Sequence, residues 1–150
     1  MKTVCLFITA MFLVVANGAQ AAGPAIEKPK GDRLIAALIH VESNGNDNAI
    51  GDRGKKEMAY GCLQIRKPCI DDVNKKFGTK YEAKDCLGNR ALSVWVCESY
   101  ISIYATQNRL GRAPTNEDRA RIWNGGPSGW KSKYTNGYWS KVQKQLGKQK

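Results

Sequence analysis

Residues 32–65 read DRLIAALIHVESNGNDNAIGDRGKKEMAYGCLQI, and this stretch decides the fold of the chain. Asp32 suits the N-cap position of a helix, and apolar residues follow it at the spacing of an amphipathic helix. Glu42 comes four positions after Leu38, which places its carboxyl group at the edge of the apolar face. A carboxyl group in that position needs an explanation. The apolar positions are Leu34, Ile35, Leu38 and Ile39.

Burial of a carboxyl group disfavours its ionised form, so a glutamate beside an apolar face is expected to have a raised pKa. A raised pKa keeps the proton on Glu42 near neutral pH, which is what a general acid requires. The alternative is an ordinary glutamate in the last turn of a helix, with its side chain in water. The residues after Glu42 bear on the choice.

Four short motifs follow Glu42 in a fixed order. Ser43 comes next, Asn-Ala follows at 48–49, Gly-Asp-Arg-Gly occupies 51–54, and Tyr-Gly-Cys-Leu-Gln occupies 60–64. This order resembles the catalytic core of the lysozyme superfamily, above all the lytic transglycosylases and goose-type lysozymes. Arg-Ile-Trp-Asn-Gly-Gly-Pro at 121–127 and Gly-Tyr-Trp at 137–139 resemble invertebrate-type lysozymes. The resemblance covers nearly all of the chain after its N-terminal apolar run, and it implies that Glu42 is catalytic.

The resemblance implies an α+β fold that is predominantly α-helical and lysozyme-like. Glycines, asparagines and charged residues dominate 44–60, a composition typical of turns and a small hairpin. In lysozyme-like folds this β-hairpin and turn region forms one wall of the cleft. Further helices are predicted from 67 to 77, from 89 to 108 as the longest helix, after a capping box of Thr115 and Asp118, and in an amphipathic segment from 138 to 146.

The family cuts the β-1,4 bond between N-acetylmuramic acid and N-acetylglucosamine in peptidoglycan, so the resemblance implies the same reaction here. Cleaving a glycosidic bond requires a proton for the leaving oxygen and stabilisation of an oxocarbenium-like transition state. Glu42 is expected to supply the proton, as a glutamate with a raised pKa does in lysozymes. No cofactor is predicted.

The second catalytic carboxylate is predicted at Asp52. Its Gly-Asp-Arg-Gly setting resembles the goose-type motif, whose aspartate helps to hold the attacking water. The spacing from Glu42 is shorter than in that family, and a gap-free comparison with invertebrate-type lysozymes puts the expected aspartate at Gly54. Asp52 also suits a turn residue that bonds its own backbone. Asp47 and Glu57 are the further candidates.

Other functions remain open at this point. Lytic transglycosylases dispense with the second carboxylate and form a 1,6-anhydro product, which the sequence does not distinguish from hydrolysis. A lysozyme-like protein that binds peptidoglycan without cutting it is a second alternative. A cationic protein that acts on membranes or nucleic acid is a third, favoured by charge alone.

Five residues are predicted to bind substrate. Ser43, Tyr60 and Gln64 match family positions around the catalytic glutamate. Trp123 and Asn124 belong to an aromatic-Asn-x-Gly stretch that in the related enzymes lines the cleft opposite the glutamate. A purely structural place in the core is the alternative for Trp123.

The N-terminus has the pattern of a secretory signal. Lys2 precedes an apolar run from Val4 to Ala16, and small residues follow at 19–22, so residues 1–22 are predicted to be cleaved. Residues 23–31 are expected to form an exposed leader, and 32–150 the catalytic domain. The protein is therefore expected to be secreted or periplasmic, without stable membrane insertion after cleavage.

Charge and cysteine content bear on partners and cross-links. The net charge of +11 suits attraction to an anionic bacterial cell wall and its peptidoglycan glycan strands, whereas an exported protein rarely meets nucleic acid. Four cysteines follow the signal, and an even number predicts two disulfide bonds of unknown connectivity. No metal site is expected, because His40 is the only histidine and no close cysteine pair exists. These cysteines are Cys62, Cys69, Cys86 and Cys97.

Overall fold

In the computed structural model, which describes residues 32–148, the chain folds mainly into α-helices with one small antiparallel sheet. This confirms the predicted, predominantly α-helical α+β fold. The predicted signal at 1–22 and leader at 23–31 lie outside the described residues. In chain order the elements are α1 (Arg33–Ser43), β1 (Ile50–Gly51), β2 (Ala59–Tyr60), α2 (Lys67–Phe77), α3 (Arg90–Tyr104), α4 (Gln107–Leu110), α5 (Asn116–Gly125) and α6 (Asn136–Lys148). Short 3-10 turns cover Ala83–Cys86, Gly129–Lys131 and Lys133–Thr135.

Helix α1 begins and ends as the sequence predicts. The Leu34 N–H donates to the side chain of Asp32 over 2.8 Å, which caps the first turn. At the other end Asn44 takes the left-handed conformation with φ of 53°, and its N–H donates to the carbonyl of His40. The apolar face of α1 packs against α6, α3 and α5. Glu42 therefore lies in the last turn of a helix that is fixed by contacts with three other helices.

The predicted hairpin is present and short. Strands β1 and β2 pair antiparallel, with Ile50 opposite Tyr60 and Gly51 opposite Ala59. Gly61 follows with φ of 74°, and a Cβ built there would lie only 2.4 Å from the carbonyl oxygen of Cys86. This position therefore requires glycine, both for its backbone conformation and for the close approach of the two backbones.

The predicted helix from 89 to 108 is interrupted near its end, at residues 105 and 106. Helix α3 ends at Tyr104, because Ala105 leaves helical geometry with φ of −89° and ψ of 67°. The Thr106 side chain then accepts from the Arg109 N–H and starts the separate helix α4. A threonine hydroxyl competes with helical backbone bonds in this way. The apolar spacing ends at Ile103 and Tyr104, and residues 106–109 are all polar, so the sequence carried a signal of this break that the predicted helix ran past.

The capping box predicted at the start of α5 is confirmed. Asp118 accepts from the Thr115 N–H at 2.8 Å and from Arg112 at 2.6 and 2.8 Å. Burial opposes ionisation of Asp118, but these hydrogen bonds outweigh it and lower its pKa to about 2. The beginning of α5 is thus fixed by a buried, ionised carboxylate, and the far end of the helix is positioned with it.

The four cysteines are free thiols in the structure, contrary to the two predicted disulfide bonds. Burial raises the pKa of Cys62 to about 11 and that of Cys86 to about 12, so these thiols stay protonated at neutral pH. A protonated thiol is a poor nucleophile for disulfide formation. Cys62, Cys86 and Cys97 pack in the hydrophobic core as small apolar side chains, with Cys69 at its edge.

Candidate active site

A cleft of about 270 Å³ opens between the end of α1, the loop from β2 to α2, and the end of α5. Four of the predicted site residues line it: Glu42, Gln64, Trp123 and Asn124. Three elements distant in the sequence therefore meet around one acidic side chain. The remaining lining residues are Leu63, Arg66, Pro68, Cys69, Tyr100 and Gly126.

Glu42 is half-buried, and its Oε1 accepts a hydrogen bond of 2.7 Å from the hydroxyl of Tyr138. Burial raises its pKa above the ordinary value of 4.5. Hydrogen-bonding groups on Tyr138 and Trp123 act in the opposite direction, as do more distant cationic side chains, but burial dominates. Glu42 thus has the raised pKa that its place on α1 predicts, and it keeps its proton to higher pH than an exposed glutamate.

Tyr138 is a site residue that sequence reasoning missed. The sequence placed it only on the apolar face of the last helix, although the Gly-Tyr-Trp motif at 137–139 was part of the family resemblance. Its contact with Glu42 spans 96 residues of sequence and arises because α6 packs along α1. The motif was a usable signal, but the partner of its hydroxyl was not evident without the packing.

Gln64 is held between the hairpin and the cleft. Its backbone has φ of 53°, and its side-chain amide donates to the carbonyl of Gly61 over 2.9 Å. A Cβ at Gly51 would lie 2.0 Å from Gln64 Oε1, so the glycine of β1 leaves room for this side chain. The Gln64 amide is therefore fixed in place by the hairpin before any ligand arrives.

Trp123 and Asn124 occupy the last turn of α5. The indole of Trp123 packs edge-on against Tyr100, with ring centroids 5.9 Å apart and planes at 84°. Trp123 is half-buried and lines the cleft, so it is both a partner of the core and part of the cleft wall. Asn124 is exposed, and its amide is available to a ligand in the cleft.

Ser43 and Tyr60 do not line the Glu42 cleft. The Ser43 hydroxyl donates to the carbonyl of Cys62 over 2.8 Å and thereby ties the end of α1 to the residues after β2. Tyr60 lines a separate groove of about 350 Å³ beside α2, together with Tyr81. Ser43 therefore links two parts of the backbone, and Tyr60 faces a second groove, although both residues match family motifs around the glutamate.

Asp52 is a turn residue with φ of 52°, and its carboxylate is paired with Lys55 and Arg66. Hydrogen bonds from these two side chains lower its pKa, so it is ionised at neutral pH. Arg66 lines the cleft, whereas Asp52 reaches the cleft only through that guanidinium. Within the described chain Glu42 is the only carboxyl group that lines this cleft.

The other candidates for a second carboxylate lie elsewhere. Asp47 is paired with Arg90 at 2.9 Å, and Glu57 is exposed in the loop between β1 and β2. Residues 32–148 contain no group of three or more His, Cys, Asp or Glu side chains arranged to hold a metal ion.

Comparisons with known proteins show which proteins this chain is similar to. No protein-family profile matches the chain. "Lysozyme 1" of Crassostrea virginica is 40% identical over 85 residues, which cover 57% of this chain and 44% of that protein. The chain thus matches less than half the length of this curated relative.

Solved structures match over more of their length. Meretrix lusoria lysozyme in complex with Aeromonas hydrophila PliI has a TM-score of 0.61 at 26% identity, over 83% of this chain and 93% of that one. Tapes japonica lysozyme has a TM-score of 0.60 at 28% identity, over 82% and 94%.

Proposed function

We propose that this chain, a relative of the lysozymes, is a muramidase that cuts the β-1,4 bond between N-acetylmuramic acid and N-acetylglucosamine in peptidoglycan. The observation that carries the proposal is the half-buried carboxyl group of Glu42 in an open cleft. Its proton is retained by burial and its orientation is held by Tyr138. A lysozyme-like fold without such a group would support sugar binding but no acid catalysis.

Glu42 acts as the general acid in this proposal. It donates its proton to the glycosidic oxygen as the bond to the leaving sugar breaks, which lets that sugar depart as a neutral alcohol. The carboxylate left behind then faces the positive charge of the oxocarbenium-like sugar. It also accepts a proton from the group that attacks this sugar, because the same residue serves as base in the second step.

The substrate-binding residues surround this group. The amides of Gln64 and Asn124 are placed to bond the acetamido and hydroxyl groups of the sugars, and the indole of Trp123 offers a face or edge to a pyranose ring. Asp52 acts through Arg66, which it holds at the rim of the cleft. Ser43 supports the glutamate helix, and Tyr60 contacts more distant parts of the glycan from its own groove.

A second candidate is a lytic transglycosylase, favoured by the presence of one carboxyl group in the described cleft. Mass spectrometry of products from purified glycan strands tests both. Hydrolysis is expected to give reducing ends, whereas the 6-hydroxyl of the sugar would close an anhydro ring and give products lighter by one water. If no product of either mass forms, the catalytic proposal is wrong and a glycan-binding role replaces it.

Secretion or a periplasmic location belongs to the same proposal, because peptidoglycan lies outside the cytoplasmic membrane. Between residues 32 and 148 no helix is both long and apolar enough to cross a membrane.

Replacing Tyr138 by Phe is expected to raise the pKa of Glu42 further. The Tyr138 hydroxyl stabilises the ionised carboxylate and so lowers the pKa of Glu42, whereas burial raises it. Without the hydroxyl, the effect of burial is larger relative to the groups that lower the pKa. A general acid works in its protonated form, so the alkaline limb of the kcat/KM profile should move to higher pH. NMR titration of the Glu42 carboxyl carbon, together with pH–rate profiles, checks both shifts.

Tyr134→Phe is the matched control, because Tyr134 is 86% exposed. It should leave the titration of Glu42 and the alkaline limb in place. An unchanged or lowered Glu42 pKa in Tyr138→Phe would show that the hydrogen bond does not tune the acid.

A further inference from the structure

Charge is strongly segregated along this chain. Residues 119–148 contain two arginines and five lysines and not one aspartate or glutamate. Both arginines are neutralised, Arg119 by Asp32 and Arg121 by Glu117. The five lysines form no ion pair with any residue of 32–148, and all five are exposed. They are Lys131, Lys133, Lys141, Lys144 and Lys148.

Three of these lysines form a row on α6. Lys144 follows Lys141 by three positions and precedes Lys148 by four, so their side chains lie on one face of the helix. The opposite face carries the buried Val142 and packs on α1 and α5, which leaves the lysine row facing solvent. Like charges at this spacing repel one another, so the three lysines destabilise the helix when no ligand is bound. An anionic ligand would relieve this repulsion. We call Lys141, Lys144 and Lys148 the α6 lysine row.

The α6 lysine row begins beside the cleft. Tyr138 lies one turn before Lys141 on the same helix and donates its hydroxyl to Glu42. A shallow groove of about 410 Å³ runs along the helix, lined by Ser140, Lys141, Gln143 and Lys144. A polymer that carries phosphates at regular intervals would find cations, a hydroxyl and an amide along this groove, on the helix whose Tyr138 contacts Glu42.

We propose that the α6 lysine row and its groove bind a phosphodiester polymer of the bacterial wall, of the poly(glycerol phosphate) type, attached to the glycan in the cleft. This inference rests on the proposed function for the identity of the wall. Binding is electrostatic and depends on the phosphate charges rather than on the groups between them, because lysine ammonium groups contact phosphates as point charges. It holds the protein on walls that carry the polymer while Glu42 works on the adjacent glycan.

The test measures binding of soluble poly(glycerol phosphate) over a range of salt concentrations. Lys144→Gln with Lys148→Gln is expected to weaken binding at least about fivefold and to reduce the slope of log affinity against log salt by about 1 to 2. Lys75→Gln with Lys76→Gln is the matched control. It also removes two exposed lysines from the last turn of a helix, but that helix, α2, packs mainly on α3 rather than on α6. The control should stay within about twofold of the unmodified protein.

Equal losses in the two double variants would overturn the proposal, since binding would then follow net charge alone. Tighter binding of single-stranded DNA with the same dependence on Lys144 and Lys148 would overturn the assigned partner. Cleavage of short glycan strands that carry no phosphate polymer should be the same in both variants, which leave Lys141 and the cleft unchanged. If the unmodified protein fails to cleave them, the proposed function is wrong. The comparison of polymer binding between the two double variants then still decides the role of the α6 lysine row.

Discussion

Replacing Glu42 by Gln is expected to lower kcat/KM on peptidoglycan by on the order of a thousandfold, because general acid catalysis is lost. The amide has the same shape and still accepts the hydrogen bond from Tyr138, but it carries no proton to donate to the glycosidic oxygen. Binding to insoluble walls should persist, since the cleft keeps its form. Turbidity loss of a wall suspension and a pull-down on the same walls measure the two properties.

Stability provides an internal check on this variant. The folded-state pKa of Glu42 is raised, so the ionised side chain destabilises the folded state above that pKa. The Gln variant should therefore unfold at the same or a higher temperature than the unmodified protein at neutral pH. This advantage should fade as the pH falls through the folded-state pKa and be lost below the ordinary glutamate value of 4.5, where Glu42 is protonated in both states.

Glu98→Gln is the matched control for loss of a partly buried carboxyl group. Burial raises the pKa of Glu98 as well, but Glu98 lies on α3 and does not line the cleft. Its replacement should leave cleavage unchanged. Substantial lysis by Glu42→Gln, or an equal loss in Glu98→Gln, would contradict the assigned role of Glu42.

Replacing Gly129 by Ala is expected to destabilise the protein by about 3 kcal/mol or more, since it overpacks a rigid contact. A Cβ at this buried position would lie 2.0 Å from the carbonyl oxygen of Arg121 and 2.8 Å from its carbon. Both are backbone atoms of α5. They are also locked, because Thr135 donates to the Gly129 carbonyl at 2.8 Å and accepts from Arg121 at 2.9 Å.

The same substitution should reduce activity, because the part of α5 that must move leads directly to Trp123 and Asn124. Thermal unfolding should shift down by roughly 10 °C or more for a domain of this size. Gly147→Ala is the control, since a Cβ at Gly147 meets nothing within 4 Å and alanine favours a helix. Equal melting temperatures for the two variants would show that the contact between Gly129 and α5 is not as tight as the structure has it.

Features that depend on neighbours in sequence were predictable. The Asp32 cap, the apolar spacing before Glu42 and the capping box of Thr115 and Asp118 are local patterns, and each appears as predicted. The hairpin likewise follows from the turn-forming composition of 44–60. The break at Ala105 is local too, because residues 106–109 are all polar and end the apolar spacing, although the predicted helix ran past them.

Features that depend on tertiary packing were not predictable from the chain. The hydrogen bond from Tyr138 to Glu42 requires α6 to lie along α1, which no local pattern states. The groove that Tyr60 faces is equally hidden, because successive side chains of a strand point to opposite sides and a motif match does not say which side meets the cleft. The pairing of Asp52 with Arg66 depends on the path of a turn.

The titration of the Glu42 carboxyl carbon in the unmodified protein tests the central claim most directly, because it measures whether the cleft holds a proton on this one group. The structure predicts a midpoint above 4.5 that coincides with the alkaline limb of kcat/KM on glycan strands. A midpoint at or below 4.5, with cleavage continuing at pH values where Glu42 is fully ionised, would contradict it.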